Sequence, residues 1–135
     1  MSAPFIFVTT HTLTEGVLDE YMSQDAEFRS FLEKNEPDLL DYQVYMDDEQ
    51  SEVTFIFVFR GADAADHHMQ VAGGELIGRG LEITSTSRLE VYGGTPGPVL
   101  GGVLAANAGM GVPVTIKAQP LGGFSRTRSA RDAAA

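Results

Sequence analysis

Apolar and polar positions along the chain change period several times, and each change marks an element. Pro4 to Thr10 is rich in β-branched and aromatic residues and reads as a strand. Thr12-Leu-Thr-Glu15 has the spacing of a capping box and predicts a helix start. Val17, Leu18, Tyr21, Phe28, Phe31 and Leu32 then recur at helical intervals, with Asp19, Glu20, Glu27 and Glu33 elsewhere around the helix. The helix should stop near Glu36, because Pro37 disfavours helical geometry in the residue before it. Leu39–Met46 and Glu52–Arg60 read as strands joined by the polar turn 47–51, an antiparallel hairpin. A second helix is expected over Ala62 to Val71, ending by Gly73-Gly74. From Ile83 to Val91, apolar or small residues alternate with Glu82, Thr84, Thr86, Arg88 and Glu90, the pattern of a fourth strand.

The order β-α-β-β-α-β predicts an α+β, ferredoxin-like unit: a four-stranded sheet with its helices on one face. The opposite face should be wet, yet Ile6 and Val8 back Phe5 and Phe7, and Ile56 and Val58 back Phe55, Phe57 and Phe59. Such a face needs a cover, and a twin sheet is the simplest one, so a homodimer is expected. Beyond the unit, residues 93–111 hold seven glycines plus Pro96 and Pro98. They predict a loop-rich excursion with a short helix over Val99–Ala106. Val112–Ala118 alternates like a fifth strand, with Pro113 suited to an edge. The reading is one domain over 1–135: a core at about 4–93, a Gly/Pro-rich C-terminal extension at about 94–127, and a disordered tail at 128–135.

Composition narrows the function classes. The 135 residues carry a net charge of −10, with thirteen acids against Arg29 and Lys34 in residues 1–59. An acidic body repels phosphate backbones, so nucleic acid is not an expected partner, and the bases near the C-terminus (Lys117, Arg126, Arg128, Arg131) read as a frayed end. No apolar run approaches the roughly 20 residues needed to cross a bilayer. With no cysteine there is no disulfide, thiolate metal site or cysteine nucleophile, and a cytoplasmic protein is expected.

Few residues could carry chemistry. His67 and His68 are neighbours on a helix and project about 100° apart, so they cannot share one metal ion, and no other metal-ligand spacing occurs. His68 sits at helical spacing from Ala65 and Ala72, towards the sheet, where it is either a general base or a histidine hydrogen-bonded at the helix–sheet seam. His67 should face solvent near Asp63. His11, in phase with Phe5, Phe7 and Thr9, could border the same pocket or simply begin the following loop. Tyr21, Tyr42 and Tyr92 could hydrogen-bond a ligand, and Phe57 on the Phe-rich third strand could be a wall for a planar one; each could equally be core. No phosphate-binding loop is present.

The opening strand Pro4-Phe-Ile-Phe-Val8, the hairpin Leu39–Arg60, the segment Ala62-Asp-Ala-Ala-Asp-His-His-Met69 and the strand end Arg88-Leu-Glu-Val-Tyr92 together resemble the antibiotic biosynthesis monooxygenases, a superfamily of dimeric α/β barrels. His68-Met69 matches the His-hydrophobic pair of that superfamily's second helix. The resemblance spans about residues 4–93. It implies a homodimer and a cofactor-independent monooxygenase acting on a small aromatic or quinol-like compound, with His68 and His11 catalytic. Tyr21, Tyr42, Phe57 and Tyr92 would contact substrate, and neither metal nor flavin is needed. Haem-degrading members resemble one another in an Asn, Trp and His set, and this chain has no Trp. The alternative is a non-catalytic dimeric protein of the same fold that binds an apolar small molecule or serves in assembly.

Overall fold

The computed structural model describes residues 3–72 and 82–126. Its elements are β1 (Phe5–Leu13), α1 (Leu18–Asn35), β2 (Leu39–Met46), β3 (Glu52–Phe59), α2 (Ala62–Val71), β4 (Thr84–Tyr92), α3 (Pro98–Gly109) and β5 (Val114–Lys117). The strand order is β2-β3-β1-β4-β5, antiparallel except for the parallel β4–β5 pair. The first four strands form the ferredoxin-like arrangement expected from the sequence. The expected Gly73-Gly74 helix stop, Arg128 and Arg131, and the tail 128–135 lie outside the described residues.

The capping box does not form. β1 continues to Leu13, so Thr12 is a strand residue opposite Glu52 and Ser85, and its hydroxyl bonds that of Ser87 at 2.6 Å. The chain turns at Gly16 (φ +83), and α1 begins at Leu18 without a side-chain cap. Strand pairing on both sides of β1 outcompetes the local cap. The β2–β3 hairpin is closed by Asp47, whose carboxylate accepts from the backbone N–H groups of Ser51 and Glu52 at 2.9 Å and from the Ser51 hydroxyl at 2.7 Å.

Alternation decides what each sheet face does. Phe5, Phe7, Phe57, Phe59, Leu89 and Val91 point towards the helices and are buried with Leu32 of α1 and Ala65 of α2. Leu100 and Leu104 of α3 join this same core, so the C-terminal extension is packed into the fold. Asp66 of α2 accepts from the backbone N–H groups of Val99 (3.0 Å) and Leu100 (2.9 Å), which caps α3 from a neighbouring helix. On the other face, register puts Ile6 beside Val58 and Val8 beside Ile56, and all four are half-buried.

Candidate functional site

Sheet and helices do not close completely. Between them lies a cavity of about 160 Å3, roughly ten times the space one ordered water needs. Its floor is aromatic: Phe7 from β1, Phe55 and Phe57 from β3. Phe28 of α1, Met69 of α2 and Leu89 of β4 form apolar walls, and Val103 of α3 closes one side. The extension therefore supplies part of the site.

His68 lines this cavity from α2. It is 2% exposed, and its ring packs on Phe57 (4.9 Å between centroids), Phe59 (5.6 Å) and Phe28 (6.1 Å). Its Nδ1 lies 2.9 and 3.0 Å from the two carboxylate oxygens of Glu36, which is also buried. With Glu36 as the acceptor, Nδ1 is the donor of this bond, and a ring with its hydrogen there would offer Nε2 as a proton acceptor. Among the described residues Nε2 has no hydrogen-bond partner. Of the two readings open for His68, a general base or a histidine hydrogen-bonded at the seam, the structure shows the seam bond and also places the ring on the cavity wall.

Glu36 owes its place to the break that ends α1. Its backbone leaves helical geometry (φ −129, ψ 76) before Pro37, while its N–H still bonds Leu32 at 3.0 Å. The side chain thereby turns inward to α2, 32 positions along the chain, where an isolated carboxylate would be costly to bury.

His11 lines the same cavity but differs chemically. Burial lowers its pKa to about 4, so the ring is neutral near pH 7. Its Nε2 is 2.8 Å from the Thr9 hydroxyl and its Nδ1 3.4 Å from that of Thr84, and it meets Phe55 edge-on. With Thr86 these groups form a polar end to the cavity suited to hydrogen bonding rather than to proton uptake. A register shift between Thr10 and His11 in the β1–β4 pairing marks the spot.

The remaining sequence candidates divide. Tyr21 is 6% exposed and lines the cavity, and burial followed by the nearby Asp25 charge pushes its phenol pKa up, so the hydroxyl stays protonated. Neither Tyr21 Oη nor Gln24 Oε1, both buried beside the cavity, has a hydrogen-bond partner among the described residues. Phe57 is part of the floor. Tyr42 stands behind it, its ring 5.1 Å from Phe57 and its hydroxyl donating to Asp25 Oδ1 at 2.7 Å; burial first, then this bond, raises its pKa. Tyr42 thus holds Asp25, itself a lining residue, instead of facing the cavity. Tyr92 is on the opposite sheet face, beside Ile6 and bonded to Glu90, so it cannot share a ligand with His68.

Sequence reading missed Glu36, Gln24, Asp25 and Val103. Only Glu36 carried a signal, an acidic residue placed by Pro37 at a helix break, and it read as the end of a helix. No group of three or more His, Cys, Asp or Glu among the described residues is arranged to hold a metal.

No protein-family model matches this sequence, and no curated protein matches it. Solved structures do match its fold. MupZ from Pseudomonas fluorescens is 21% identical with a TM-score of 0.71, covering 93% of this chain and 96% of its own, so the likeness takes in the C-terminal extension. An antibiotic biosynthesis monooxygenase is 17% identical (TM-score 0.53; 68% of this chain, 99% of its own). SnoaB, a cofactor-independent oxygenase from Streptomyces nogalater, is 14% identical (TM-score 0.55; 63% and 88%). The fold is that of the antibiotic biosynthesis monooxygenases; at these identities the likeness is one of architecture.

Proposed function

We propose that the cavity is the active site of an enzyme that takes a proton from an apolar, electron-rich molecule and lets the resulting anion react with dioxygen. The observation that carries this reading is the buried Glu36–His68 pair on the wall of an apolar cavity. A buried histidine oriented by a carboxylate is the usual form of a general base. The fold shared with SnoaB makes oxygenation the reaction to test first.

The substrate class follows from the lining. The aromatic floor suits a planar ring system, and Tyr21 Oη with Gln24 Oε1 would take a hydroxyl or carbonyl at its edge. No Lys or Arg is among the described lining residues while Asp25 is, which favours an uncharged quinol or phenol over a carboxylate or phosphate ester. In the reaction, Nε2 of His68 removes a proton, and the anion reduces dioxygen and forms a carbon–oxygen bond. The peroxide oxygen regains the proton from Nε2. Loss of the second C–H proton with cleavage of the O–O bond then leaves a carbonyl and releases water. One oxygen atom enters the product and the other leaves as water.

The apolar outer face favours a homodimer. Ile6, Val8, Ile56 and Val58 form a contiguous patch by register, and a second copy of the sheet would remove it from water. Each protomer would keep its own cavity on the opposite face.

A second reading rests on Tyr21 Oη and Gln24 Oε1: a bound ligand could satisfy both without reacting. Oxygen consumption with a panel of quinols and polycyclic phenols, run beside binding titrations of the same compounds, separates the two. Binding accompanied by oxygen uptake supports the enzyme. Binding with none points to a carrier, and neither one defeats both readings.

A further inference from the structure

A second, polar cleft of about 190 Å3 lies on the far side of the Glu36–His68 pair. It is lined by Glu36, Asp38, Leu39, Asp63, Ala64 and His67. The two spaces have no lining residue in common: His68 belongs to the inner cavity and Glu36 to the outer cleft. The hydrogen bond between Nδ1 and the carboxylate joins a residue of one space to a residue of the other.

We propose that Glu36 is a proton relay that connects His68, and through it the inner cavity, to solvent in the outer cleft. The inference rests on His68 acting as the base, as argued above. When Nε2 takes a proton from a group in the cavity, Nδ1 passes its own to Glu36, which releases it to water in the cleft. That transfer leaves the ring with its hydrogen on Nε2. When Nε2 later returns a proton to the peroxide, Nδ1 regains one from Glu36, and the original tautomer is restored with no net change.

The surroundings suit this role. Facing Glu36 across the cleft are Asp63 and His67 from α2 and Asp38 from the loop before β2. Asp38 is paired at 3.1 Å with Arg60 at the end of β3. Three carboxylates against one histidine make the cleft a favourable exit for a proton.

The test needs no substrate. Exchange of the His68 ring N–H with water is measured by nuclear magnetic resonance on the 15N-histidine-labelled full chain, as a function of imidazole buffer concentration at fixed pH. In the unmodified protein exchange should accelerate with imidazole, which is small enough for the cleft and is not repelled by it. Glu36→Gln keeps an acceptor for Nδ1–H but cannot carry a proton, and should slow exchange by about tenfold or more. Glu36→Asp keeps a titratable carboxylate and should recover most of the rate, a distinction a merely structural role would not make. Exchange that is the same in Glu36→Gln, or that ignores imidazole in the unmodified protein, overturns the relay. Because no turnover is involved, a failure here is distinct from a failure to find oxygen uptake.

Discussion

Both carboxylate oxygens of Glu36 lie within 3.0 Å of Nδ1 of His68, joining the end of α1 to the inner face of α2. One bond thereby orients a ring in an apolar cavity and satisfies a carboxylate that would otherwise be buried alone. The proposed chemistry and the stability of the fold would both depend on this bond.

Replacing the base should remove the chemistry and leave the fold. His68→Gln is expected to lower oxygen consumption with an identified quinol or phenol by about a hundredfold or more. Ligand affinity, measured by titration, should change far less. Unchanged turnover would remove His68 from the mechanism.

The same pair should be visible in unfolding. Glu36→Leu leaves the His68 Nδ1–H unpartnered and should cost about 1–3 kcal/mol in urea denaturation. His68→Phe strands the Glu36 carboxylate and should cost at least as much. The double variant should lose clearly less than the sum, since neither polar group is then buried without a partner. Additive losses would mean that the two side chains are not coupled.

The docking of α3 depends on a missing side chain. A Cβ at Gly97 would lie 2.5 Å from Asp66 Oδ2, so Gly97→Ala must push away the carboxylate that caps Val99 and Leu100. Both Gly97→Ala and Asp66→Ala should destabilise by about 1 kcal/mol or more, the usual cost of a lost helix cap. In the Asp66→Ala background, Gly97→Ala should cost little. Thermal melts of the four proteins would expose any other pattern.

Acid should weaken the fold partly through His11. Its folded pKa of about 4 lies below the ordinary histidine value of 6.5, so between these pH values the unfolded chain binds a proton that the folded one refuses. This share of stability is complete above pH 6.5, declines as the pH falls, and is gone near pH 4, a change of up to about 3 kcal/mol. His11→Asn should flatten the stability–pH curve in that window relative to the unmodified protein. Parallel curves would show that His11 is not held neutral by the fold.

The dimer can be tested at the centre of the outer face. Ile56→Glu places a charge opposite Val8 and Gln43 on that face, away from the cavity. Sedimentation should show a dimer for the unmodified chain and a monomer for this variant, with unchanged secondary structure by circular dichroism. A monomeric unmodified protein at micromolar concentration would refute the dimer.

Much of the architecture is legible in local pattern. Alternation in Phe5–Val8 and Val53–Phe59, helical recurrence from Leu18 to Leu32 and the break at Pro37 are each set by neighbours a few residues apart. So is the apolar outer face, because strand geometry alone sends Ile6 and Val8 away from Phe5 and Phe7. His68 was also recognisable, since spacing from Ala65 placed it towards the sheet. The capping box shows where local pattern misleads: Thr12 and Glu15 satisfy the motif, but two neighbouring strands claim Thr12 first.

What makes His68 more than a core histidine was decided by contacts between distant positions. Glu36 reaches it across 32 residues, Val103 closes the cavity from an extension with no distinctive motif, and Asp66 fixes α3 across 33 and 34 residues. Period reports which way a side chain points relative to its own element, whereas a buried polar pair depends on how two elements approach each other. Tyr92 and Tyr42 illustrate the difference. Both are strand tyrosines of similar sequence character, yet register sets Tyr92 on the face opposite the cavity, while the approach of α1 gives Tyr42 to Asp25.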